Sequence, residues 1–195
     1  NNFSKRIFDA YMSISPNYGP AKADFFRYLI IYKEGGIYLD IKSAPIKNLD
    51  NIINNLQGRM AISNWTNFPL KLIPILLFDP KYWDTFLKNP RGEYQNWYII
   101  SGKGNPLLGT VIKQIVTNIE IGKSKKNLYS YGKLSVLCLT GPLMFSKTIE
   151  NYKNKDDYKY YKPNLNNNLK YKFVNHKTIE KSNHYLKNKN KCVLL

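Results

Sequence analysis

Between Pro20 and Pro45 the order of residue types leaves the backbone few choices. Residues 21–33 carry Phe25, Phe26, Leu29 and Ile30 at helical spacing, with proline opening the first turn, and Gly35 and Gly36 stop the helix at once. Residues 37–41, bounded by the glycine pair and by Pro45, read as a short strand. Helix, tight turn, strand and exit loop thus follow one another within about 25 residues, the compact alternation of a mixed α/β fold.

The rest of the chain repeats that alternation. Residues 60–63 and 75–78 are expected as short strands, 81–88 as a short helix ending before Pro90, and 97–101 as a further strand. Asn105 and Pro106 form a cap and first-turn pair for a helix to residue 121, on which Leu107, Leu108, Val111, Ile112, Ile115, Val116 and Ile119 recur at helical spacing before Gly122. Residues 134–139 read as a buried strand holding Cys138 as a small hydrophobe, and Thr140, Gly141 and Pro142 turn the chain into a helix through Glu150. One more strand is expected at 171–174. With 195 residues, 43% of them hydrophobic, the chain is expected to be one domain with its own core. The expected fold is an α/β sheet with helices on both faces, and the place to look for a site is the carboxyl end of its strands.

No stretch reaches the ~18 to 20 apolar residues of a membrane span, and the first eleven residues lack the apolar core of a signal peptide. The opening at Asn1, without methionine, suggests a processed product or a piece of a longer protein, with an upstream anchor left open. The formal charge is +17, from 30 basic and 13 acidic residues, and residues 151–195 form a basic segment rich in Lys, Asn and Tyr. Only four of the basic residues are arginines (Arg6, Arg27, Arg59 and Arg91), whereas base-reading proteins rely on the bidentate arginine fork. The joint abundance of Lys, Asn, Ile and Tyr fits an AT-biased coding sequence. The competing reading is a basic module in which Tyr152, Tyr158, Tyr160, Tyr161 and Tyr171 stack on nucleic acid or the lysines follow an anionic surface.

Several catalytic arrangements are excluded. Two histidines and two cysteines do not make a zinc-hydrolase cluster or a disulfide framework, the glycines at 102, 104 and 109 miss the dinucleotide spacing, and neither a phosphate-binding Gly-Lys-Ser/Thr nor a Gly-x-Ser-x-Gly elbow occurs. The chemistry concentrates instead on the first helix–strand unit. Asp24 and Arg27 are three apart, so their side chains are neighbours; taken alone, they fit an ion pair on a helix surface. Strand alternation puts Ile37, Leu39 and Ile41 on one face and Tyr38, Asp40 and Lys42 on the other, gathering a phenol, a carboxylate and an ammonium at a strand end.

The eighteen consecutive residues from Ala23 through Asp24, Arg27, Gly35, Gly36 and Tyr38 to Asp40 resemble the sugar-binding DXD region of glycosyltransferase family 32, which includes fungal Och-type mannosyltransferases and is related to the glucosylating clostridial toxins. The resemblance spans roughly residues 15–150 and is strong over 23–49. It implies a GT-A fold and transfer of a hexose from a nucleotide-sugar donor, with retention of configuration, to a glycan, protein or lipid acceptor. UDP-sugar is the first expectation and GDP-mannose the second, and no nucleic acid partner is expected. By the same resemblance Asp24, Arg27, Gly36 and Tyr38 bind the donor sugar and Asp40 acts at the donor or its metal. Asn96 and the Thr140, Gly141, Pro142 turn lie toward the acceptor, and His184 stands where a late histidine approaches the diphosphate.

One departure bears on the cofactor. The resemblance implies Mn²⁺ or Mg²⁺ at Asp40 and, second, at His184, yet the second aspartate of the DXD pattern is Lys42 here. A divalent ion held by Asp40 alone would bind weakly, because such ions at a diphosphate are usually held by carboxylate oxygens together with phosphate. The expectation is that the Lys42 ammonium partly replaces the metal; the rival reading is a site that binds without transferring. Family members also open with a strand and a tryptophan-bearing segment, and nothing before Ser15 is expected to match it.

Overall fold

The computed structural model describes residues 3–65, 92–125, 132–171 and 193–195. Its strands and its α-helices of seven or more residues are, in chain order, α1 (Lys5–Met12), α2 (Gly19–Glu34), β1 (Gly36–Leu39), β2 (Ala44–Pro45), α3 (Asp50–Leu56), β3 (Met60–Ile62), β4 (Tyr98–Ser101), α4 (Pro106–Ser124), α5 (Gly132–Leu139), α6 (Pro142–Asn151), β5 (Tyr158–Tyr160) and β6 (Leu169–Lys170). The fold is mixed α/β, as expected. The expectations at residues 75–78 and 81–88, most of 171–174, Cys192 and His184 lie outside the described residues.

Strands β1 and β4 pair antiparallel with Tyr38 opposite Ile99, β3 and β5 pair parallel, and β2 and β6 pair antiparallel. β4 also packs beside β3, where Gly102 N–H donates to Gly58 O at 3.1 Å, Gln95 N–H donates to Ser63 O at 2.8 Å, and Asn64 bridges Tyr94. β1, β4, β3 and β5 therefore lie side by side in that order.

The helix expected to begin at Asn105 is the spine of the larger core. All seven of its expected apolar positions are buried, Asn105 Oδ1 caps the helix by accepting from Leu108 N–H, and the helix runs past Gly122 to Ser124. α1, α2, α5 and α6 pack on it, and Tyr28 stacks on Phe145 where α2 meets α6. Helix α2 buries residues around most of its circumference, Asp24 and Arg27 among them. It ends because Gly35, at φ +72°, lies so close to Lys103 that a Cβ would come within 2.9 Å of the Lys103 nitrogen.

Two expectations are corrected. Residues 134–139 belong to helix α5, with Ser135, Val136, Cys138 and Leu139 buried at helical spacing. A short continuous apolar run looks the same in a buried strand and a buried helix, so periodicity alone did not separate them. The strand expected to reach residue 41 ends at Leu39, because Ser43 N–H donates to Asp40 O at 2.7 Å and closes a turn. Ile41 is consequently 92% exposed and does not share the Leu39 face. Helices α1 and α3 were not expected; both are short, and most helical stabilisation at that length comes from packing.

Candidate functional site

The Gly35, Gly36 turn folds the strand back along the helix it follows, which sets Asp40 against the Arg27 side of α2. Arg27 Nη2 lies 3.1 Å from Asp24 Oδ1 and 3.0 Å from Asp40 Oδ1. Nη1 donates to the Asn96 carbonyl at 2.6 Å, and the guanidinium carbon sits 4.9 Å from the centroid of the Tyr38 ring. Tyr38 Oη donates in turn to Asp40 Oδ1 at 3.5 Å. Asp24 and Arg27 are only 8% and 6% exposed, so the pair is an internal cluster and not a helix-surface ion pair. Two carboxylates share one buried cation.

Burial dominates the electrostatics. It raises the Asp24 carboxyl to about 7, against the opposing pull of Arg27 and a hydrogen bond from Thr140. Asp40 is raised as well by burial, with Arg27 and Lys42 opposing. The Tyr28 hydroxyl is pushed far above its ordinary value by burial and by the Asp24 charge, and it accepts from the Asn96 side-chain amide at 3.2 Å.

Of the expected site residues, Asp24, Arg27, Tyr38, Asp40 and Asn96 come together. Gly36, at φ +98°, opens β1 beside them. Gly141 and Pro142 form the α5–α6 junction, where a Cβ on Gly141 would meet Leu137 Cα at 2.9 Å. Sequence reasoning missed that this junction reaches the cluster through its first residue. Thr140 Oγ is buried and donates to Asp24 Oδ2 at 3.4 Å. Lys42 departs from the expected face: its ammonium lies 5.2 Å from the centroid of the Tyr171 ring, because the turn after Leu39 breaks the strand alternation. Among the described tyrosines of the basic segment, Tyr158 and Tyr160 lie in β5 with Tyr160 exposed, Tyr161 is buried, and Tyr152 is hydrogen-bonded to Asp157.

Among the described residues the side chains at Asp40 do not complete a divalent-metal site. Asp40 already engages Arg27, the position of a second carboxylate is a lysine, and no group of three ligating side chains occurs among the described residues.

Residues 2–58 match the family model described as a glycosyltransferase sugar-binding region containing a DXD motif. That match begins well before Ser15, correcting the expectation that the family likeness starts there. The "Initiation-specific alpha-1,6-mannosyltransferase" of Schizosaccharomyces pombe is 32% identical over 135 residues, covering 68% of this chain and 32% of that protein. The protein of the same name from Candida albicans is 32% identical over 139 residues, covering 68% and 35% respectively. The chain thus spans about a third of the length of these relatives. Among solved structures, a "PaToxG Glycosyltransferase" aligns with 22% identity and a TM-score of 0.46 over 75% of this chain and 40% of that one. Residues 2–58 of the chain thus match the glycosyltransferase sugar-binding region that contains the DXD motif.

Proposed function

We propose that the chain is the donor-binding part of a retaining hexosyltransferase that takes its sugar from a nucleotide-sugar donor. The observation that carries the reading is the position of Arg27, held between Asp24 and Asp40 and fixed by the Asn96 carbonyl. A rigid fork of N–H donors flanked by two carboxylates matches the alternating donors and acceptors of sugar hydroxyls, and holding a ring in one pose lowers the barrier to transfer. Asp24 and Arg27 bind the donor sugar, Gly36 and Tyr38 line it, and Asp40 takes a donor hydroxyl. Asn96, Gly141 and Pro142 face the acceptor side, a glycan, protein or lipid hydroxyl. Because two relatives are named as alpha-1,6-mannosyltransferases, a GDP-linked mannose moves ahead of a UDP-linked hexose as the donor.

In the proposed step the C1–O bond to the diphosphate breaks and a C1–O bond to the acceptor forms on the same face. The acceptor's hydroxyl proton leaves with the diphosphate. Charge building on that leaving group meets the Lys42 ammonium, two residues beyond Asp40, where the family pattern has a carboxylate.

The test is donor binding and hydrolysis over a panel of GDP- and UDP-sugars, with Mn²⁺ and with EDTA, for the wild type and Asp40→Ala. Saturable binding and turnover lost in Asp40→Ala support the reading; no binding of any donor overturns it. A basic nucleic-acid module would instead bind single strands with a steep loss of affinity as salt rises.

A further inference from the structure

Consecutive carbonyls hold two charged members of the candidate cluster. The Asn96 carbonyl accepts from Arg27 at 2.6 Å, and the next one, that of Trp97, accepts from Asp40 N–H at 2.9 Å. The residue before them, Gln95, is 2% exposed. Its Oε1 accepts from Ser63 Oγ at 2.7 Å and from Asn164 N–H at 2.9 Å, and its Nε2 donates to Asn164 Oδ1 at 2.8 Å. A reversed amide would set Nε2 against the Asn164 N–H, donor against donor, so the network admits one orientation of Gln95. Asn164 reaches it from a left-handed backbone. Asn164, Leu165, Asn166 and Asn167 follow one another at φ +52°, +44°, +57° and +63°, one left-handed turn without a glycine. Such a run costs energy, least for asparagine, and persists only where its surroundings hold it. Leu165 is fully buried in the apolar cluster that contains Trp97 and Tyr98. The turn brings the Asn164 main-chain N–H and side chain to the two ends of one amide.

We infer that Gln95 is a positioning residue for the Arg27 cluster and that the left-handed turn at Asn164 fixes it in place. Gln95 acts through the two residues that follow it. Its backbone N–H donates to Ser63 O at 2.8 Å, so main chain and side chain are both pinned beside the end of β3, and a shift of residues 95–97 strains these bonds. A guanidinium is a planar fork that tolerates little misalignment, so a carbonyl on a fixed peptide orients it where a mobile one would not. Just past the turn, the Asn168 carbonyl accepts from Ile46 N–H at 2.9 Å, which ties the loop leaving Asp40 to the same segment. Both sides of the cluster therefore depend on a backbone turn far along the chain. The inference deepens the transferase reading, on which it rests only for what the cluster binds.

Nitrogen-15 NMR of arginine-labelled protein reads the guanidinium directly. Only Arg6, Arg27, Arg59 and Arg91 contribute, and Arg27→Lys identifies the Arg27 signals. A guanidinium bonded at both Nη atoms rotates slowly and shows separate Nη signals, whereas a released one shows an averaged set. The wild type is expected to show separate signals for Arg27, and Gln95→Met to merge them and weaken donor binding about tenfold, as displacement of a positioning group does. Asn164→Gly keeps the left-handed turn and the N–H bond but loses the Oδ1 acceptor, so its Arg27 signals should broaden, and this variant carries the test should Gln95→Met not fold. Asn164→Asp retains an acceptor and should restore the wild-type signals. Ile115→Ala, in the buried face of α4, controls for lost stability: its unfolding midpoint should fall while the Arg27 signals stay separate. Merged Arg27 signals in the wild type, sharp and separate ones in Asn164→Gly, or merging in Ile115→Ala would each overturn the inference. Arg27 signals that follow Gln95 and Asn164 in a protein that binds no nucleotide sugar keep the positioning role and remove the transferase reading. Donor binding with Arg27 signals indifferent to both residues does the reverse.

Discussion

The Arg27 guanidinium donates to the main-chain carbonyl of Asn96 at 2.6 Å, across 69 residues of sequence. This bond ties α2 to the segment that leads into β4, and it orients the same guanidinium whose other nitrogen meets Asp24 and Asp40. A carbonyl acceptor does not titrate, so the anchor persists whatever the protonation of the two acids.

Arg27→Lys should therefore fail as a replacement. A single ammonium on a flexible stem does not span the carbonyl and two carboxylates at once, and one buried acid would lose its partner. Arg27→Ala is expected to cost roughly 3–5 kcal/mol of stability, as for breaking a buried ion pair, with Arg27→Lys between it and the wild type. Urea unfolding read by tyrosine and tryptophan fluorescence checks this, and donor affinity should be lost in both variants.

Asp24 is expected to tie stability and donor binding to pH in opposite directions. Burial lifts its carboxyl from an ordinary 3.8 to about 7, so the folded chain holds more protons than the unfolded chain between those values. The stabilisation from this group is complete below about pH 4 and is lost as pH rises through about 7. Donor binding through an accepting carboxylate should rise over the same upper limb, following a one-proton curve centred near 7. Asp24→Asn should flatten both profiles; an unchanged binding profile in that variant would assign the titration to another group.

Much of the candidate cluster was legible in the sequence, and the reason is local. Asp24, Arg27, Tyr38 and Asp40 sit on one helix, one turn and one strand, where chain geometry carries side chains a short way. Thr140 and Tyr171 escaped because their approach to Asp24 and Lys42 is set by packing over 116 and 129 residues, which periodicity does not report. The misread α5 has a related origin, since its nearly continuous apolar run hides the helical spacing of the residues it buries. The helix from Asn105 was legible because one face is apolar and its cap is local.

Two glycines make a stability contrast. A Cβ on Gly102 would meet Gly58 O at 2.5 Å and Gly58 Cα at 2.6 Å, both backbone atoms, whereas a Cβ on Gly19 meets nothing within 4 Å. Gly102→Ala should lose on the order of 1–3 kcal/mol, because β4 must move away from the turn before β3. Gly19→Ala should be neutral or stabilise by roughly 0.4–1 kcal/mol through the unfolded chain. Equal urea midpoints for the two variants would contradict the close approach.

Lys42 gives the sharpest functional prediction. It stands two residues after Asp40, and its charge helps hold the Asp40 carboxyl down against the upward push of burial. Lys42→Ala should abolish turnover while leaving donor binding within about tenfold of the wild type, because the lost charge acts mainly on the departing diphosphate. Lys42→Asp restores the paired carboxylates of the family pattern, and a Mn²⁺ requirement should appear or sharpen in that variant. The measurement is turnover against Mn²⁺ concentration for wild type and Lys42→Asp after EDTA treatment. If the two curves coincide, Lys42 does not stand in for a metal. If only Lys42→Asp responds to Mn²⁺, one residue has exchanged a mobile cation for one carried by the chain, and the cost is that Asp40 must share its surroundings with a fixed positive charge.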